Sequence, residues 1–303
     1  MRLRLSPARQ QALWAYLFLT PAVIFFVVLF VVPVLRALQY SFYYWPLGAP
    51  EKEFLGLENY RKLFAEDKIF LISIWNTVRF TAGTLVPTLT LALGLALILN
   101  QPWLKGRGVF RTIYFIPVVS SLVAVGFVWR WLLEPSFGLV NYLLRLFQIK
   151  GPGWLASPVW AMPGIMLMSI WRDLGFYMVV FLAGLQTIPR EFHEAAMVDG
   201  ANAWQRFWKI TLPLLNPTIV FSAVIGVIGG LQLFTAVYVM TSSTTLLPGG
   251  PLNSTRPMVL HIVESAFRSQ NIGYASAAAF VLFVMILIFS LLQIRLVERP
   301  FEY

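Results

Sequence analysis

The sequence predicts an all-α integral membrane protein with six transmembrane helices. Apolar residues make up 58% of the 303 residues and charged residues only 12%, whereas a soluble domain carries about 25% charged residues. The mean hydropathy is +0.73. The apolar residues also cluster in runs of about 20, the length that a helix needs to cross a bilayer. Composition and run length together exclude an ordinary soluble protein.

Six apolar runs are candidate spans, separated by polar or turn-forming residues. They are Ala12–Val34, Ser73–Leu99, Thr112–Leu133, Val159–Leu185, Leu214–Met240 and Tyr274–Leu296. The first run follows a basic start, but it is longer than the roughly 7–15 apolar residues of a signal peptide. No small-residue cleavage site follows it. We therefore expect a retained first helix.

The distribution of basic residues predicts that both termini face the cytoplasm. Short segments on one side of the spans are dense in Lys and Arg, whereas the segments on the other side are longer and partly acidic. The basic side includes Arg2, Arg4, Arg9, Lys105, Arg107, Arg111, Arg190, Arg206, Lys209, Arg295 and Arg299. We expect residues 1–11 to form a basic cytoplasmic N-terminus and residues 12–303 a single transmembrane domain.

Several classes of function are disfavoured by what the sequence lacks. There is no cysteine, so disulfides, thiolate metal sites and thiol nucleophiles are excluded. His193 and His261 lie far apart, so no metal site is expected. Neither a GxxxxGK[ST] loop nor a GxSxG elbow occurs, so we expect no catalytic residues and no nucleotide bound by this chain. The net charge of +10 is scattered, which favours loops at an acidic membrane surface over a nucleic-acid partner.

The longest cytoplasmic segment, residues 186–213, is predicted to form two short helices. Pro189 can open a helix because its missing N–H would be unpaired there. That helix, Arg190–Asp199, ends at Gly200, which suits a left-handed cap. A second helix, Ala203–Thr211, precedes Pro213, which should break it before the fifth span.

Two short helices at an angle would make a compact knob on the cytoplasmic face. Ala195, Ala196 and Ala201 are small, so another backbone can come close. Glu194 offers a carboxylate to a basic partner, and Asp199 can do the same or cap its own turn. The alternative is an ordinary solvated loop without a partner.

Arg172 and Asp173 interrupt the fourth span near its middle. Each would cost roughly 2.5–3.5 kcal/mol at a lipid-facing position, so both should face the bundle or a wet cavity. They could line a solute pathway. Alternatively, they could pair with each other or with a partner subunit.

The fifth span offers a second group of candidate solute contacts. Gln232 and Thr235 are three residues apart and should share one helical face, while Phe234 and Tyr238 share the neighbouring face. Hydrogen-bonding groups beside aromatic faces are typical of a sugar site. The alternative is helix packing, helped by the pattern Gly226-x-x-x-Gly230.

The cytoplasmic segment resembles the EAA motif of ABC importer permeases. The matching residues are Glu194-Ala195-Ala196, Asp199-Gly200-Ala201, Phe207, Ile210, Leu212-Pro213 and Pro217. Other stretches resemble the carbohydrate-uptake branch, of the maltose and glycerol-3-phosphate permease type; they are "FLGLENYRKLF", "FIPVVSSLVAVGFVWRWLLEPSFGLVN", "FLAGLQTIPREFHEAA" and Gly249–Pro251. The resemblance covers roughly Pro21–Leu296. It is to the six-helix members, without the extra leading helices and large outer insertion of the maltose partner permease.

This resemblance implies an ABC type I importer permease architecture in a prokaryotic inner or plasma membrane. Two partner ATPase subunits would use ATP and Mg, and a homologous second permease and an extracytoplasmic solute-binding protein would complete the assembly. Residues 186–213 would be the coupling helices. Glu194 would pair with a basic ATPase residue, Gly200 would give the sharp turn, and the alanines would permit close docking. The aromatic residues after Gly200, Phe207 among them, would brace the knob against its own helices.

The predicted function is therefore that of a permease subunit of an ATP-driven, binding-protein-dependent importer for a sugar or sugar-like polyol, including glycerol phosphate. The EAA motif alone also allows another solute class. A secondary transporter or channel would need intramembrane acids, of which Asp173 is nearly the only one. A membrane-embedded enzyme lacks a catalytic constellation. The sequence does not distinguish a homodimeric from a heterodimeric permease pair.

Overall fold

The computed structural model describes residues 7–242 and 248–297 of the chain. The described part is mostly helical, with one antiparallel hairpin of strands β1 (Tyr43–Tyr44) and β2 (Glu53–Phe54). The chain divides into two compact units: residues 1–63 with 262–281, and residues 64–261 with 282–303. The predicted basic N-terminus falls partly outside the described residues, because the structure begins at Pro7. Arg2, Arg4 and Arg299 lie outside them.

The first unit opens with a long, unpacked helix. Helix α1 (Pro7–Phe26) continues through a π-helical turn, Val27–Val31, into α2 (Val32–Tyr40). The π turn ends two residues before Pro33, whose missing N–H interrupts the ordinary hydrogen-bond ladder. Within the most apolar window of Gln11–Tyr40 no residue is buried. The helix therefore exists as predicted, but it extends past Val34 and presents apolar side chains all round.

A small folded segment follows α2 in the same unit. Helix α3 (Glu58–Arg61) is tied to the hairpin by the buried Asn59, whose amide donates to the carbonyl oxygens of Ser41 at 2.8 Å and Tyr43 at 2.9 Å. A π-helical turn, Lys62–Glu66, comes next. The hairpin is also tied to the start of α15 (Ile272–Val297), because Ile272 N donates to Trp45 O at 2.9 Å.

Two long helices organise the second unit. Helices α4 (Lys68–Leu99) and α8 (Ala161–Thr187) pack together over the most extensive contact between two helices. The Asp67 carboxylate caps α4 by accepting from Phe70 N at 2.8 Å. These helices and α15 correspond to the predicted second, fourth and sixth spans, with ends shifted by a few residues.

The predicted third span, Thr112–Leu133, is wrong as a single helix. Helices α5 (Arg107–Val119) and α6 (Leu122–Leu132) meet at an angle of 97°. Ser120 between them is extended, with φ −73° and ψ 146°, three residues after Pro117. Only Ser120 and Ser121 interrupt the apolar run at this break, and two polar residues are too few for hydropathy averaged over a span to reveal it. Helix α5 packs against α8, and α6 packs against α13 (Thr235–Thr241).

The predicted fifth span, Leu214–Met240, is also broken. Helix α12 (Asn216–Leu231) ends before Gln232–Phe234, and α13 begins at Thr235. Phe234 has φ −147° and ψ −67°, outside the helical region. The pair Gly229-Gly230 just upstream weakens the helix at this point, because glycine disfavours the helical state by about 1 kcal/mol relative to alanine.

Outside residues 186–215, the remaining described elements are short. They are α7 (Leu139–Leu146), a 3₁₀ turn at Trp154–Ala156, another at Pro251–Asn253, and α14 (Met258–Phe267). In the described ranges, four helices are long and apolar enough to cross a membrane, or six spans if each bent pair counts as one. The two buried apolar clusters of the second unit are centred on Met162, Met168 and Met240, and on Met178, Phe181 and Leu215.

Candidate functional site

A cavity of about 180 Å³ lies in the second unit where α12 breaks. Residues of α4, α6, α8, α13 and the break line it, together with glycines of α12. Five of the six predicted solute-pathway residues line it: Arg172, Asp173, Gln232, Phe234 and Thr235. The sixth, Tyr238, is not among the lining residues, but its ring stacks on Phe234 with centroids 5.4 Å apart and an interplanar angle of 28°. The structure thus brings together residues that the sequence places on two separate spans.

The reason given for grouping Gln232 with Thr235 is wrong. Gln232 follows the last residue of α12 and Thr235 begins α13, so the two do not share the face of one helix. Both line the cavity because the chain departs from the helix between them. The break frees backbone groups that a continuous helix would satisfy, and such backbone is tolerated at membrane depth where it lines a cavity.

Arg172 and Asp173 form an ion pair with each other at the wall of the cavity. Arg172 Nη1 donates to Asp173 Oδ1 at 2.8 Å, and the side chains are 27% and 41% exposed. The pair is internal and also faces the cavity. A paired arginine and carboxylate present donors and acceptors with little net charge.

Polar residues of α4 and α8 that the sequence reading missed complete the wall. Thr84, Thr88 and Ser169 line the cavity, together with the rings of Phe80 and Tyr177. The Thr84 hydroxyl donates to Phe80 O at 2.8 Å, which leaves its oxygen lone pairs able to accept from a ligand. The signal was present, because hydroxyl residues recur along one side of the apolar α4; they are Ser73, Thr77, Thr81, Thr84 and Thr88.

The glycines of α12 have different roles. A Cβ added at Gly226 would lie 2.2 Å from Leu85 Cδ1, and one at Gly230 would lie 2.8 Å from Thr81 Cγ2. These two glycines therefore let α12 approach α4 closely, as the packing alternative proposed. A Cβ at Gly229 would meet nothing within 4 Å, although Gly229 also lines the cavity.

Residues 186–213, the segment predicted to be cytoplasmic, contain first α9 (Arg190–Val198) and a tight glycine cap. Gly200 has φ +79°, as predicted for a left-handed cap. Ala201 N donates to Ala196 O at 2.8 Å and Gly200 N donates to Met197 O at 3.1 Å. These two bonds form a Schellman motif, which satisfies the last carbonyls of the helix.

The second short helix differs from the prediction at its end. Helix α10 (Ala203–Arg206) continues through a π-helical turn, Phe207–Thr211, into α11 (Leu212–Leu214). Pro213 therefore does not end it. Proline near the start of a helical segment leaves no bond unmade, and the wider π turn precedes it. The direction changes by 64° only between Leu214 and Asn216.

A capping box that the sequence reading missed fixes the start of α10. The Asn202 side chain accepts from Gln205 N at 2.9 Å, and the Gln205 side chain accepts from Asn202 N at 2.9 Å. Arg206 Nη1 also donates to Ala201 O at 2.9 Å, which ties α10 back to the glycine turn.

The two short helices present an apolar surface that the second unit does not cover. Trp204 and Trp208 are 68% and 50% exposed, and Val198 is 88% exposed. The rings of Trp204 and Trp208 are 5.5 Å apart and both approach Phe207, which is half-buried. The two tryptophans therefore pack on one another and on Phe207, and half or more of each tryptophan stays exposed. An exposed patch of this kind marks an interaction site.

The charged candidates of this segment are accessible. Glu194 and Asp199 are exposed, as is Ala195, while Ala196 and Ala201 are partly covered. His193 is half-buried beside them. Burial lowers the pKa of His193, and the nearby Arg206 guanidinium lowers it further.

Comparison with known proteins identifies the family. The family described as "Binding-protein-dependent transport system inner membrane component" matches residues 80–301. The chain belongs to this family. It is 38% identical over 288 residues to the sulfoquinovosyl glycerol transport system permease protein SmoG of Agrobacterium fabrum, covering 94% of this chain and 91% of that protein. It is also 38% identical over 280 residues to the lactose transport system permease protein LacF of Rhizobium radiobacter, covering 92% of each.

Solved structures agree with this assignment. The chain superposes with a TM-score of 0.81 and 26% identity on a chain of a bacterial alginate ABC transporter in complex with an alginate pentasaccharide-bound periplasmic protein, covering 96% of both. A second structure, of a bacterial ABC transporter involved in the import of alginate, gives a TM-score of 0.78 and 27% identity over 95% of this chain and 98% of that one.

The chain is therefore a permease subunit of a binding-protein-dependent ABC importer, and it is a transport subunit rather than an enzyme. It is a multi-pass protein of the inner membrane, and a solute-binding protein is one of its partners. The predicted helical membrane fold and the resemblance read from the EAA segment are confirmed.

Proposed function

We propose that this permease carries a sugar or a sugar-like polyol, including glycerol phosphate, and that the solute passes through the cavity at the α12 break. The composition of the cavity wall is the main observation that supports this proposal. It combines the Arg172–Asp173 pair, the Gln232 amide and the Thr235 hydroxyl with the Phe234 ring. Ligand sites of this kind place a few polar groups among apolar and aromatic walls. The sugar transport permeases among its relatives support the solute class.

Residues 186–213 form the coupling segment in this proposal and dock on a cytoplasmic ATPase. The exposed Glu194 carboxylate would meet a basic residue, and the exposed Val198, Trp204 and Trp208 side chains would be buried by the partner. The Schellman motif and the capping box make the segment rigid, so movement of the ATPase passes to α8 and α12. Leu212 and Pro213 lie in α11, directly before the bend into α12.

The rest of the proposed assembly is what membership of the family implies. Two ATPase subunits bind ATP and Mg, and a homologous second permease completes the pathway. Basic residues flanking the coupling segment support a cytoplasmic location for it and for both termini. In this reading residues 1–11 are the cytoplasmic N-terminus, and residues 12–303 act as one transmembrane domain. Closure of the ATPases would bring the two coupling segments together and rock the helices around the cavity.

Glu194→Lys tests the coupling role. We expect uptake to be lost while membrane insertion is kept, because a lysine would repel the basic residue that Glu194 meets. Uptake and ATP hydrolysis would be measured in proteoliposomes with the binding protein present. Glu191→Lys is a matched control, since Glu191 is also exposed on α9 but lies outside the motif. Wild-type uptake in Glu194→Lys would remove the coupling role.

The class of solute can be tested on the solute-binding protein. Calorimetric titration of the solute-binding protein with a panel of sugars, polyols and glycerol phosphates should give one tight ligand among them. That ligand should also stimulate ATP hydrolysis by the assembled importer. Tight binding of an amino acid or peptide instead would overturn the sugar assignment and leave the coupling role intact.

A further inference from the structure

Helix α7 (Leu139–Leu146), in the second unit, is held by hydrogen bonds from one of its faces to the segments that flank it. Its buried Asn141 donates to the carbonyl oxygens of Pro135 and Pro152, each at 3.1 Å, and accepts from Trp154 Nε1 at 2.8 Å. These bonds join α7 to the chain on both sides of it. The helix is therefore held in a fixed orientation.

The other face of α7 is apolar and uncovered. It carries a stripe with the spacing i, i+3, i+4, i+7 and i+8, here called the α7 stripe; its members are Leu139, Tyr142, Leu143, Leu146 and Phe147. All five are exposed, Leu146 by 62% and Phe147 by 76%. The described residues leave about half or more of each of these side chains exposed, so a helix fixed by Asn141 would hold an apolar stripe in water unless something else covers it.

The position of α7 between two membrane helices indicates what covers the stripe. It follows the end of α6 at Leu132 and precedes the start of α8 at Ala161. Trp131 and Trp160, at those two helix ends, are exposed, and tryptophan concentrates at the membrane–water boundary. Phe127 and Val128 on α6, just before Trp131, are exposed as well. The α7 stripe is therefore one of several exposed apolar surfaces close in sequence to these two tryptophans.

The charged residue of α7 fits the same placement. Arg145 lies at the edge of the stripe and not within it, and its guanidinium donates to Ser136 O at 3.3 and 3.4 Å. Arginine at the border of an apolar face keeps its stem near the acyl chains and its charge among the headgroups. No acidic side chain falls within the stripe.

We propose that α7 lies in the plane of the membrane, with its stripe inserted into the leaflet that adjoins the ends of α6 and α8. The occupant of the stripe is phospholipid. Interfacial helices of this kind bury their apolar face about 5–10 Å into the boundary between headgroups and acyl chains. The helix then fixes the depth of the neighbouring ends of α6 and α8. This inference depends on the membrane fold and not on the identity of the solute.

The absence of cysteine makes site-specific labelling simple. Leu143→Cys and Leu146→Cys would each be labelled with an environment-sensitive fluorophore, in the full chain purified with its associated subunits and placed in phosphatidylcholine nanodiscs. Arg145→Cys, one position from the stripe on the same helix, is the matched control. Each label would be challenged with aqueous iodide and with lipids that carry a nitroxide at a shallow or a deep position of the acyl chain.

We expect blue-shifted emission from positions 143 and 146, a loss of emission with the shallow nitroxide lipid, less loss with the deep one, and little loss with iodide. Position 145 should lose emission with iodide. Iodide quenching of all three labels would overturn the proposal. Labels at 143 and 146 that neither iodide nor nitroxide lipid quenches would also overturn it, because a protein subunit would then cover the stripe.

Discussion

The coupling segment and the cavity are built in opposite ways. In residues 186–213 the fixing hydrogen bonds join residues at most five positions apart, as from Ala201 N to Ala196 O and from Arg206 to Ala201 O. The cavity joins Thr84 of α4, Arg172 of α8 and Gln232 after α12, which are far apart in sequence. A local structure can be read from a short stretch of chain, whereas an assembled one depends on how helices pack.

Because of this difference, transport should be sensitive to different kinds of substitution in the two regions. The cavity should respond to side chains that change its space, even where they disturb no packing. The coupling segment should respond to changes in backbone conformation, even where no contact is lost. Substitutions at glycine separate the two, because the same residue type fills both roles in this chain.

The largest expected effect is at Gly229. Gly229→Leu should reduce uptake by at least tenfold, which corresponds to about 1.4 kcal/mol. The new side chain would take up space in the cavity that Gly229 lines, and its Cβ would have no atom within 4 Å. Uptake of radiolabelled solute in proteoliposomes measures the loss.

Gly94→Leu is the matched control for that substitution. Gly94 also lies inside a membrane helix, α4, with nothing within 4 Å of an added Cβ, but it does not line the cavity. It should retain uptake. Equal loss in both variants would show that the cavity is not the pathway and that any bulk in these helices is harmful.

The two regions also differ in how far the sequence alone could predict them. In the coupling segment the glycine cap and both helices followed from local rules, and the one error was the end at Pro213, where a π turn replaces the expected break. For the cavity, the sequence picked residues but joined Gln232 to Thr235 through a helix that does not exist. Hydropathy measures the length of an apolar run and is blind to a bend within it, so the breaks at Ser120 and Gln232 were missed.

The second prediction tests the backbone of the coupling segment. Gly200→Val should weaken binding of the ATPase subunits by about 5–30-fold, because a non-glycine residue in the left-handed region is strained by about 1–2 kcal/mol. Gly200 has φ +79° and open space around it, so strain and not a clash is responsible. Affinity for the purified ATPase measures it.

Gly200→Asn provides the control, since asparagine tolerates the left-handed region better than valine. It should bind the ATPase nearly as well as the wild type. If Gly200→Asn and Gly200→Val weaken ATPase binding equally, the glycine is required because it lets the partner approach closely, and not because it adopts the left-handed conformation.

The third prediction concerns single polar contacts in the cavity. Gln232→Ala should lower the apparent affinity for solute by about fivefold, since one hydrogen bond contributes roughly 1 kcal/mol. Tyr238→Ala should have a similar or smaller effect, because Tyr238 acts through its stack on Phe234. Uptake at varied solute concentration measures both.

Docking of the ATPase should be unchanged in these two variants, which separates them from Gly200→Val. If neither the apparent affinity nor the maximal rate changes in either variant, Gln232 and Tyr238 are not part of the pathway. Loss of ATPase binding in either would mean that the cavity and the coupling segment are not independent.

The smallest expected effect is the titration of His193 in the coupling segment. Burial and then Arg206 lower the pKa of His193, so its midpoint should lie below the ordinary value of 6.5. Because the folded state holds the proton less tightly, the folded segment is most stable above pH 6.5 and loses stability as the pH falls through the lower pKa. With only two histidines in the chain, NMR of labelled histidine can follow each one separately.

Arg206→Gln sharpens this measurement. The substitution should move the titration midpoint of His193 only part of the way back towards 6.5, because burial is the larger cause of the lowered pKa and is unchanged. The His261 resonance is the internal control and should not move, because the His261 imidazole lies beside Asp67 and Phe70, far along the chain from Arg206. A His193 midpoint at or above 6.5 in the wild type would mean that the imidazole is open to water. The two short helices would then lack the packed arrangement on which a rigid coupling segment depends.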